Sequence, residues 1–410
     1  MRTVALRARF LRQGRDFSSS GTGPWSMKKD PALEAALSRN RRWIVNNQLK
    51  NIILRSPDGV VTVQSIQKRF KTLDLQGKAL NWLRKYPCCF DVFSSEAGGG
   101  GELLCRLTKR MNALVEEEEF VRDAREPLMA EKLARLLMMS VHRRINAVKL
   151  AELKRNFGFS DDYLVRIIPK YPEMFRIVNY TGRRSNLEIE LASWNPDFSI
   201  SAVEAWARAR GTTPAFRGFL PETWGKSLDR FREFNSSPYV SPYADVGELG
   251  VKEMEKRAVG LIHELLSSTL WKKASIVKLG HFRREFALPE KLGPFLMKHP
   301  AIFYVSNRYL RHTVVLREGY SGSELIDKDP LVVVKEKFGE LMQEGLHEYN
   351  RRRHLANLEK KRKKGLVSAV SGSERSVIQS QRKEFDGWKE GLYKDEETRS
   401  FLRDLSSNLP

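Results

Sequence analysis

One eight-residue phrase occurs three times in this chain, and a recurrence of that length limits the possible folds more than any single residue does. It reads Leu83-Arg84-Lys85-Tyr86-Pro87-Cys88-Cys89-Phe90, then Ile168-Pro169-Lys170-Tyr171-Pro172-Glu173-Met174-Phe175, then Leu296-Met297-Lys298-His299-Pro300-Ala301-Ile302-Phe303. The shared pattern is apolar, any, Lys, Tyr or His, Pro, any, any, Phe. Apolar residues upstream keep step with it: Val61, Val63, Ile66 and Phe70 in the first copy, Val148, Leu150, Leu153 and Phe157 in the second, Val277, Leu279, Phe282 and Phe286 in the third. The chain is read as three copies of one unit with additions between and after them.

The first unit, residues 41–107, begins with a helix from Arg41 to Leu54 that Ser56-Pro57-Asp58-Gly59 breaks. Helical spacing of Val63, Ile66 and Phe70 predicts a second helix over Val61–Phe70. A third runs from Leu75 to Arg84 and stops at Lys85-Tyr86-Pro87, because proline disfavours helical geometry in the residue before it. Alternating residues at Phe90–Phe93 and Leu103–Leu107, joined by Gly98–Gly101, form a hairpin. After a charged helical connector, the second unit (together residues 108–193) repeats this order, with Arg143-Arg144 at the turn after its first helix and Thr181-Gly182-Arg183-Arg184 at the hairpin tip. Residues 194–250 are an insert with one helix and a loop ending Ser237-Pro238-Tyr239-Val240-Ser241-Pro242-Tyr243. The third unit, residues 251–328, sets Lys272-Lys273 where Arg143-Arg144 stood. A basic helix over residues 329–365 and a polar tail, 366–410, complete the chain; residues 18–40 read as a flexible leader. Three helices followed by a two-stranded wing is winged-helix order. The expected fold is α+β and mostly helical: three diverged winged-helix-like units, each of three helices plus a β-hairpin, with a long basic C-terminal helix.

Charge narrows the function. With 72 Lys and Arg against 50 Asp and Glu, the net charge is +22, which costs self-repulsion and points to a polyanionic partner. No apolar run approaches the ~18 residues of a membrane span, so membrane insertion is not expected. Cations recur inside the folded units instead of on one amphipathic helix, which favours nucleic acid over a lipid surface. Residues 1–17 hold five arginines, one acid and no lysine, and Ser18–Ser20 follow. An Arg-rich, acid-poor segment without an apolar core is an organelle-import presequence, and its shortness favours the mitochondrion, with the chloroplast as alternative. Without these residues the chain loses five positive charges and one negative and keeps about +18. Three cysteines, Cys88, Cys89 and Cys105, match neither a disulfide framework nor a zinc spacing.

No phosphate-cradling loop, dinucleotide fingerprint or His-Glu-x-x-His is present, so no catalytic residue, metal or cofactor is expected. Candidate phosphate contacts on the second helices are the pairs Lys68-Arg69, Lys154-Arg155 and Arg283-Arg284, read as three pairs in register. Others are Arg143, Arg144, Lys272 and Lys273 at the turns, Lys85, Lys170 and Lys298 at the ends of the third helices, and Arg183, Arg184, Arg308 and Arg311 in the wings. Tyr86, Tyr171 and His299, with Tyr239 and Tyr243 of the insert loop, are candidates for stacking on unpaired bases. Each also has a plainer role: a solvated helix face for the basic pairs, a dipole partner for the lysines, packing for the rings.

Lys-Tyr-Pro-x-x-Phe, the Ser-Pro-Tyr-Val-Ser-Pro-Tyr loop, Trp271-Lys272-Lys273 through Phe303-Tyr304-Val305-Ser306, and the Leu331–Arg353 helix resemble the plant organelle RNA recognition (PORR) domain family. The resemblance covers about residues 40–355. It implies an organellar RNA-binding protein that supports splicing of group II introns, with intron transcripts and other organellar splicing factors as partners. It carries no agreed set of base-contacting residues. An organellar DNA-binding, transcription-termination-like factor and a ribosome-associated structural protein are the competing expectations.

Overall fold

The computed structural model describes residues 27–37, 40–75, 77–94, 102–180, 182–183, 186–217, 237–239, 250–308 and 312–363. The fold is α+β and mostly helical. A short helix, α1 (Pro31–Ala36), precedes three units of one topology. Unit 1 comprises α2 (Arg41–Leu54), β1 (Val60–Thr62), α3 (Val63–Lys68), α4 (Ala79–Leu83), β2 (Phe90–Ser94) and β3 (Leu103–Leu107). The connector α5 (Lys109–Ala124) leads to unit 2: α6 (Glu126–Met139), β4 (Arg144–Asn146), α7 (Ala147–Phe157), α8 (Tyr163–Arg166), β5 (Phe175–Val178) and β6 (Glu188–Leu191). The insert contributes α9 (Ala202–Arg210). Unit 3 follows with α10 (Val251–Ser268), β7 (Lys273–Ser275), α11 (Ile276–Gly280), α12 (Arg283–Phe286), α13 (Leu292–Met297), β8 (Phe303–Ser306) and β9 (Thr313–Leu316). After a small hairpin at Tyr320–Leu325, α14 (Pro330–Lys363) ends the described chain.

A strand that local pattern does not predict opens the second half of every unit. Its middle residue pairs antiparallel with the last strand of the hairpin (Val61 with Cys105, Ile145 with Ile189, Ala274 with Val314), so each sheet runs first, third, second. The expected second helix therefore begins at Val63 in unit 1, where Thr62 accepts a hydrogen bond from the Ser65 amide (3.1 Å), and at Ala147 in unit 2, where Asn146 accepts from Val148 and Lys149. In each unit the strand ends on a side chain of capping type, Thr62, Asn146 or Ser275, and passes into the helix with no loop. Just before each strand the backbone is left-handed, at Gly59 (φ +64°), Arg143 (+53°) and Lys272 (+46°). It is left-handed again fourteen residues after each strand begins, at Asp74 (+53°), Gly158 (+88°) and Ala287 (+50°).

This agreement provides an internal control on backbone strain. A Cβ on Gly158 would lie 3.1 Å from Leu270 Cδ2 and 3.3 Å from Leu331 Cδ1, where unit 2, unit 3 and α14 meet. Gly158→Ala is expected to lower stability by about 1–2 kcal/mol through strain and crowding together. Ala287→Gly, at the same place in unit 3, is expected to raise it by about 0.5–1 kcal/mol because Ala287 carries the strain already. Urea midpoints of the two variants check both signs.

Units 2 and 3 share one core. Leu133, Leu137, Ile145, Leu150 and Phe157 pack with Leu261, Leu265, Phe282, Phe286 and Phe303 in a continuous apolar body. Unit 1 has a separate core of Val45, Leu49, Ile66, Leu83, Tyr86 and Phe90, closed by Met111 and Val115 of α5 and by Phe338, Leu341 and Met342 of α14. At its start α14 also packs on unit 3, where Leu331 and Val332 meet Leu270. Asp329 caps it, accepting from the Leu331 amide (3.0 Å) while holding Arg125 at 2.9 Å.

Two expectations change. Phe70 is 40% exposed, and Leu73 (4%) fills the core position assigned to it. The stretch read as a flexible leader contains α1, whose Leu33, with Leu37, packs on Tyr304 and Val315 of unit 3. Tyr304 donates to Glu34 (2.6 Å), and Arg317 pairs with Asp30 (3.2 Å). The presequence residues and the polar tail lie outside the described residues.

Candidate nucleic-acid interface

Counting from the first strand of each unit places the cations differently from local sequence pattern. Lys68-Arg69 is not in register with Lys154-Arg155 and Arg283-Arg284; Phe70-Lys71 is. One basic position then recurs in all three units, eleven residues after the strand begins: Lys71, Arg155 and Arg284. All three are exposed, and among the described residues none of their side chains makes a hydrogen bond or ion pair. Lys71 and Arg284 stand clear of any ion pair, whereas Arg155 lies near Asp161, whose carboxyl pKa it helps to lower; a solvent-facing cation that is not held by an acid keeps its attraction for phosphate.

The remaining candidates divide by their partners. Lys68, Arg69, Arg143, Arg183 and Lys298 are exposed and without an ionic partner among the described residues. Lys154 is held by Asp161 (2.7 Å), Lys170 by Glu126 (2.9 Å), Arg144 by Glu188 (3.3 Å) and Arg283 by Glu290 (3.4 Å). Lys85 lies over the Trp82 ring, 5.7 Å from its centroid. Lys273 and Arg308 donate to the carbonyls of Ala36 (3.1 Å) and Glu34 (2.6 Å), so both anchor α1. Lys272 donates to the Ser267 carbonyl, and burial lowers its pKa from the usual lysine value. Its role is internal. Arg184 and Arg311 lie outside the described residues.

The rings expected to stack are mostly taken up by packing. Tyr86 is buried in the unit 1 core beside Trp82. Tyr239 is buried and donates to Glu264 at 3.0 Å. His299 is buried 3.3 Å from Glu255, and burial holds its imidazole down to about 4, so it is neutral at physiological pH. Tyr171 packs half-buried against the shared core, and Tyr243 lies outside the described residues. The buried Cys89 and Cys105 thiols have pKa values raised by burial, that of Cys105 to about 12, which leaves them unreactive.

Two features escaped the candidate set. After Gly345 α14 buries no further residue, and its exposed half carries Arg351, Arg352, Arg353 and Lys360–Lys363. At 1.5 Å per residue this segment reaches about 27 Å beyond its last packed turn. A groove of about 1260 Å³ also runs between α2, α5, the end of α7 and α14. Its lining mixes cations, among them Arg42, Arg122, Arg155 and Lys335, with acids, among them Glu118, Glu119, Asp161 and Asp162, so it is not a phosphate track of one sign. Among the described residues no helix is long and apolar enough to cross a membrane.

Comparison with known proteins finds relatives over most of the chain. The chain is 32% identical over 403 residues to Protein WHAT'S THIS FACTOR 1, chloroplastic, of Zea mays, covering 93% of this chain and 76% of that one. It is 33% identical to the Arabidopsis thaliana homolog of that protein, covering 77% of this chain and 62% of the relative, which is less than two thirds of its length. Protein WHAT'S THIS FACTOR 9, mitochondrial, of Arabidopsis thaliana is 29% identical over 72% of this chain and 78% of its own. No solved structure matches significantly. The model of the plant organelle RNA recognition domain matches residues 28–347, from the docked N-terminal helix to the last packed turn of α14, and the chain belongs to that family.

Proposed function

We propose that this protein binds RNA in a plant organelle and promotes splicing of group II introns by holding intron RNA in its reactive fold, with no chemistry of its own. The observation that carries the reading is the exposed basic residue recurring at one place in three units, Lys71, Arg155 and Arg284, in a chain of net charge +22. Repeated cations at a fixed spacing suit a phosphodiester chain that passes over successive units. The family description, RNA recognition in plant organelles, supports the same reading. The relatives' names divide between chloroplast and mitochondrion. The short arginine-rich segment at residues 1–17 favours the mitochondrion.

The test is to crosslink the tagged full-length chain in plant cells, fractionate the organelles and sequence the RNA that co-purifies. Enrichment of group II intron segments in the mitochondrial fraction is the expected result. Enrichment of ribosomal RNA would point to a ribosome-associated role, and recovery from plastids alone would overturn the location. Competition at equal salt is expected to rank single-stranded or structured RNA above duplex DNA; the reverse order would favour the DNA-binding alternative.

A further inference from the structure

The three units are alike in topology and unlike in what surrounds their second and third helices. Units 2 and 3 turn these helices toward each other: Lys149 pairs with Glu285, Lys278 donates to the Glu152 carbonyl (2.6 Å), and His281 meets Glu152 (2.8 Å). Within unit 2 the acids take up further charge, since Lys154, Arg166 and Lys170 all stand in ion pairs. Unit 1 has no such neighbour. Among the described residues, α3 makes no hydrogen bond or ion pair to another unit. From Val63 to Tyr86 the chain holds six cations, Lys68, Arg69, Lys71, Lys78, Arg84 and Lys85, and one acid, Asp74, which Arg41 holds at 2.6 Å. None of the six has an ion-pair partner among the described residues. In the midst of them stands Phe70, 40% exposed, with the Lys71 amine 5.9 Å from its ring centroid.

A single exposed phenylalanine is unremarkable on a protein surface. One flanked on both sides by unpaired cations, at the position where the other units carry Lys154 and Arg283, is a different arrangement. A flat apolar ring among phosphate-binding cations is what unpaired nucleotides require: the ring stacks on a base of any sequence while the cations hold the flanking phosphates. We infer that the α3–α4 face of unit 1 is the seat for single-stranded RNA, with Phe70 as the base-stacking residue and Arg69 and Lys71 on the adjoining phosphates. Units 2 and 3 then supply phosphate contacts only. This rests on the RNA-binding reading above and assigns the part of the surface that recognises unpaired nucleotides.

The experiment uses the full-length chain and a fluorescently labelled 20-nucleotide single-stranded RNA of mixed sequence, followed by anisotropy at several salt concentrations. Phe70→Ala is expected to weaken binding about tenfold with an unchanged salt slope, and Phe70→Tyr to restore it, since the ring and not the charge is altered. R69E/K71E is expected to weaken binding by more than tenfold and to flatten the slope by about 1.4, at ~0.7 per lost phosphate contact. K252E/K291E, which changes two exposed unit 3 lysines by the same amount of charge, is expected to cost less than threefold. Circular dichroism identifies any variant that does not fold, in which case Phe70→Leu replaces Phe70→Ala. If the native chain binds the RNA while Phe70→Ala, Phe70→Leu and R69E/K71E bind it equally well, or K252E/K291E loses as much as they do, the seat is not on unit 1. If the native chain does not bind the RNA, the RNA-binding reading itself is lost. If polyglutamate of matched charge binds the native chain as tightly and depends equally on Phe70, the face takes an acidic protein segment and not RNA.

Discussion

Lys71, Arg155 and Arg284 changed together to glutamate should leave a folded protein whose affinity for RNA is at least a hundredfold lower at ~0.1 M salt. Each contact with a single-stranded phosphate contributes about 0.7 to the slope of log affinity against log salt, so removing three should flatten it by about 2, and reversal adds repulsion. The fold should tolerate the change because all three side chains are exposed and none makes a hydrogen bond or ion pair among the described residues; such surface substitutions typically alter stability by less than about 0.5 kcal/mol each. Binding isotherms at four or more salt concentrations decide the matter. An unchanged slope would show that the recurring cation does not touch phosphate, whatever the loss in affinity.

A second large effect concerns stability. Glu118 of α5 is buried at the junction of unit 1 with α14, with Lys50 at 2.6 Å and Arg122 at 2.5 Å. Glu118→Ala leaves the buried Lys50 amine without its partner and is expected to cost about 3–5 kcal/mol. Glu118→Gln keeps the volume and one acceptor and should cost less. The pH dependence follows from the charges. Burial alone would raise the Glu118 pKa, but Lys50 and Arg122 outweigh it and hold the carboxyl below its usual range. Its contribution is therefore complete above the unfolded value of about 4.3 and is lost as pH falls through the folded one. Beside it, burial lowers Lys335 to about 8. Between about 8 and the ordinary lysine value the unfolded chain binds more protons than the folded one, so stability rises with pH across that window. Urea denaturation from pH 3 to 10 should show a steeper acid fall in the native protein than in Glu118→Gln. Burial also lowers Lys132 to about 8 and lowers Lys272, so Lys335→Met should reduce the alkaline rise without abolishing it, and an undiminished rise in that variant would assign it to the other two lysines.

Much of this architecture can be read from the chain because the same positions are buried in every copy. Ile66, Leu150 and Leu279 are core residues in all three units, as are Phe90, Phe175 and Phe303. The hairpins and the terminal helix lie close to where alternation and helical spacing place them. The short first strands are not legible, for a local reason. Three residues ending in a capping side chain resemble the start of the helix that follows, and only pairing with a strand about forty residues later distinguishes them. Phe70 leaves the expected apolar stripe for another reason: the helix ends at Lys68, so the helical spacing that keeps Val63 and Ile66 buried no longer holds at residue 70. The chemistry of the cations is less legible still. Lys170 looks as available as Lys298 in sequence, yet Glu126, forty-four residues away, pairs with the first, and no acid among the described residues pairs with the second.

The two ends of the domain are fastened to the opposite parts of the molecule. Residues 31–37 lie against unit 3, and Phe338, Leu341 and Met342 complete the interior of unit 1. A chain delivered amino end first, from a ribosome or across an organelle envelope, therefore exposes its earliest unit unfinished until nearly the whole domain has arrived. Vectorial assembly of independent modules is closed to it. The turn of α14 that carries Phe338, Leu341 and Met342 works as a latch, and a chain cut before residue 338 should leave unit 1 open while units 2 and 3 still close around their common interior.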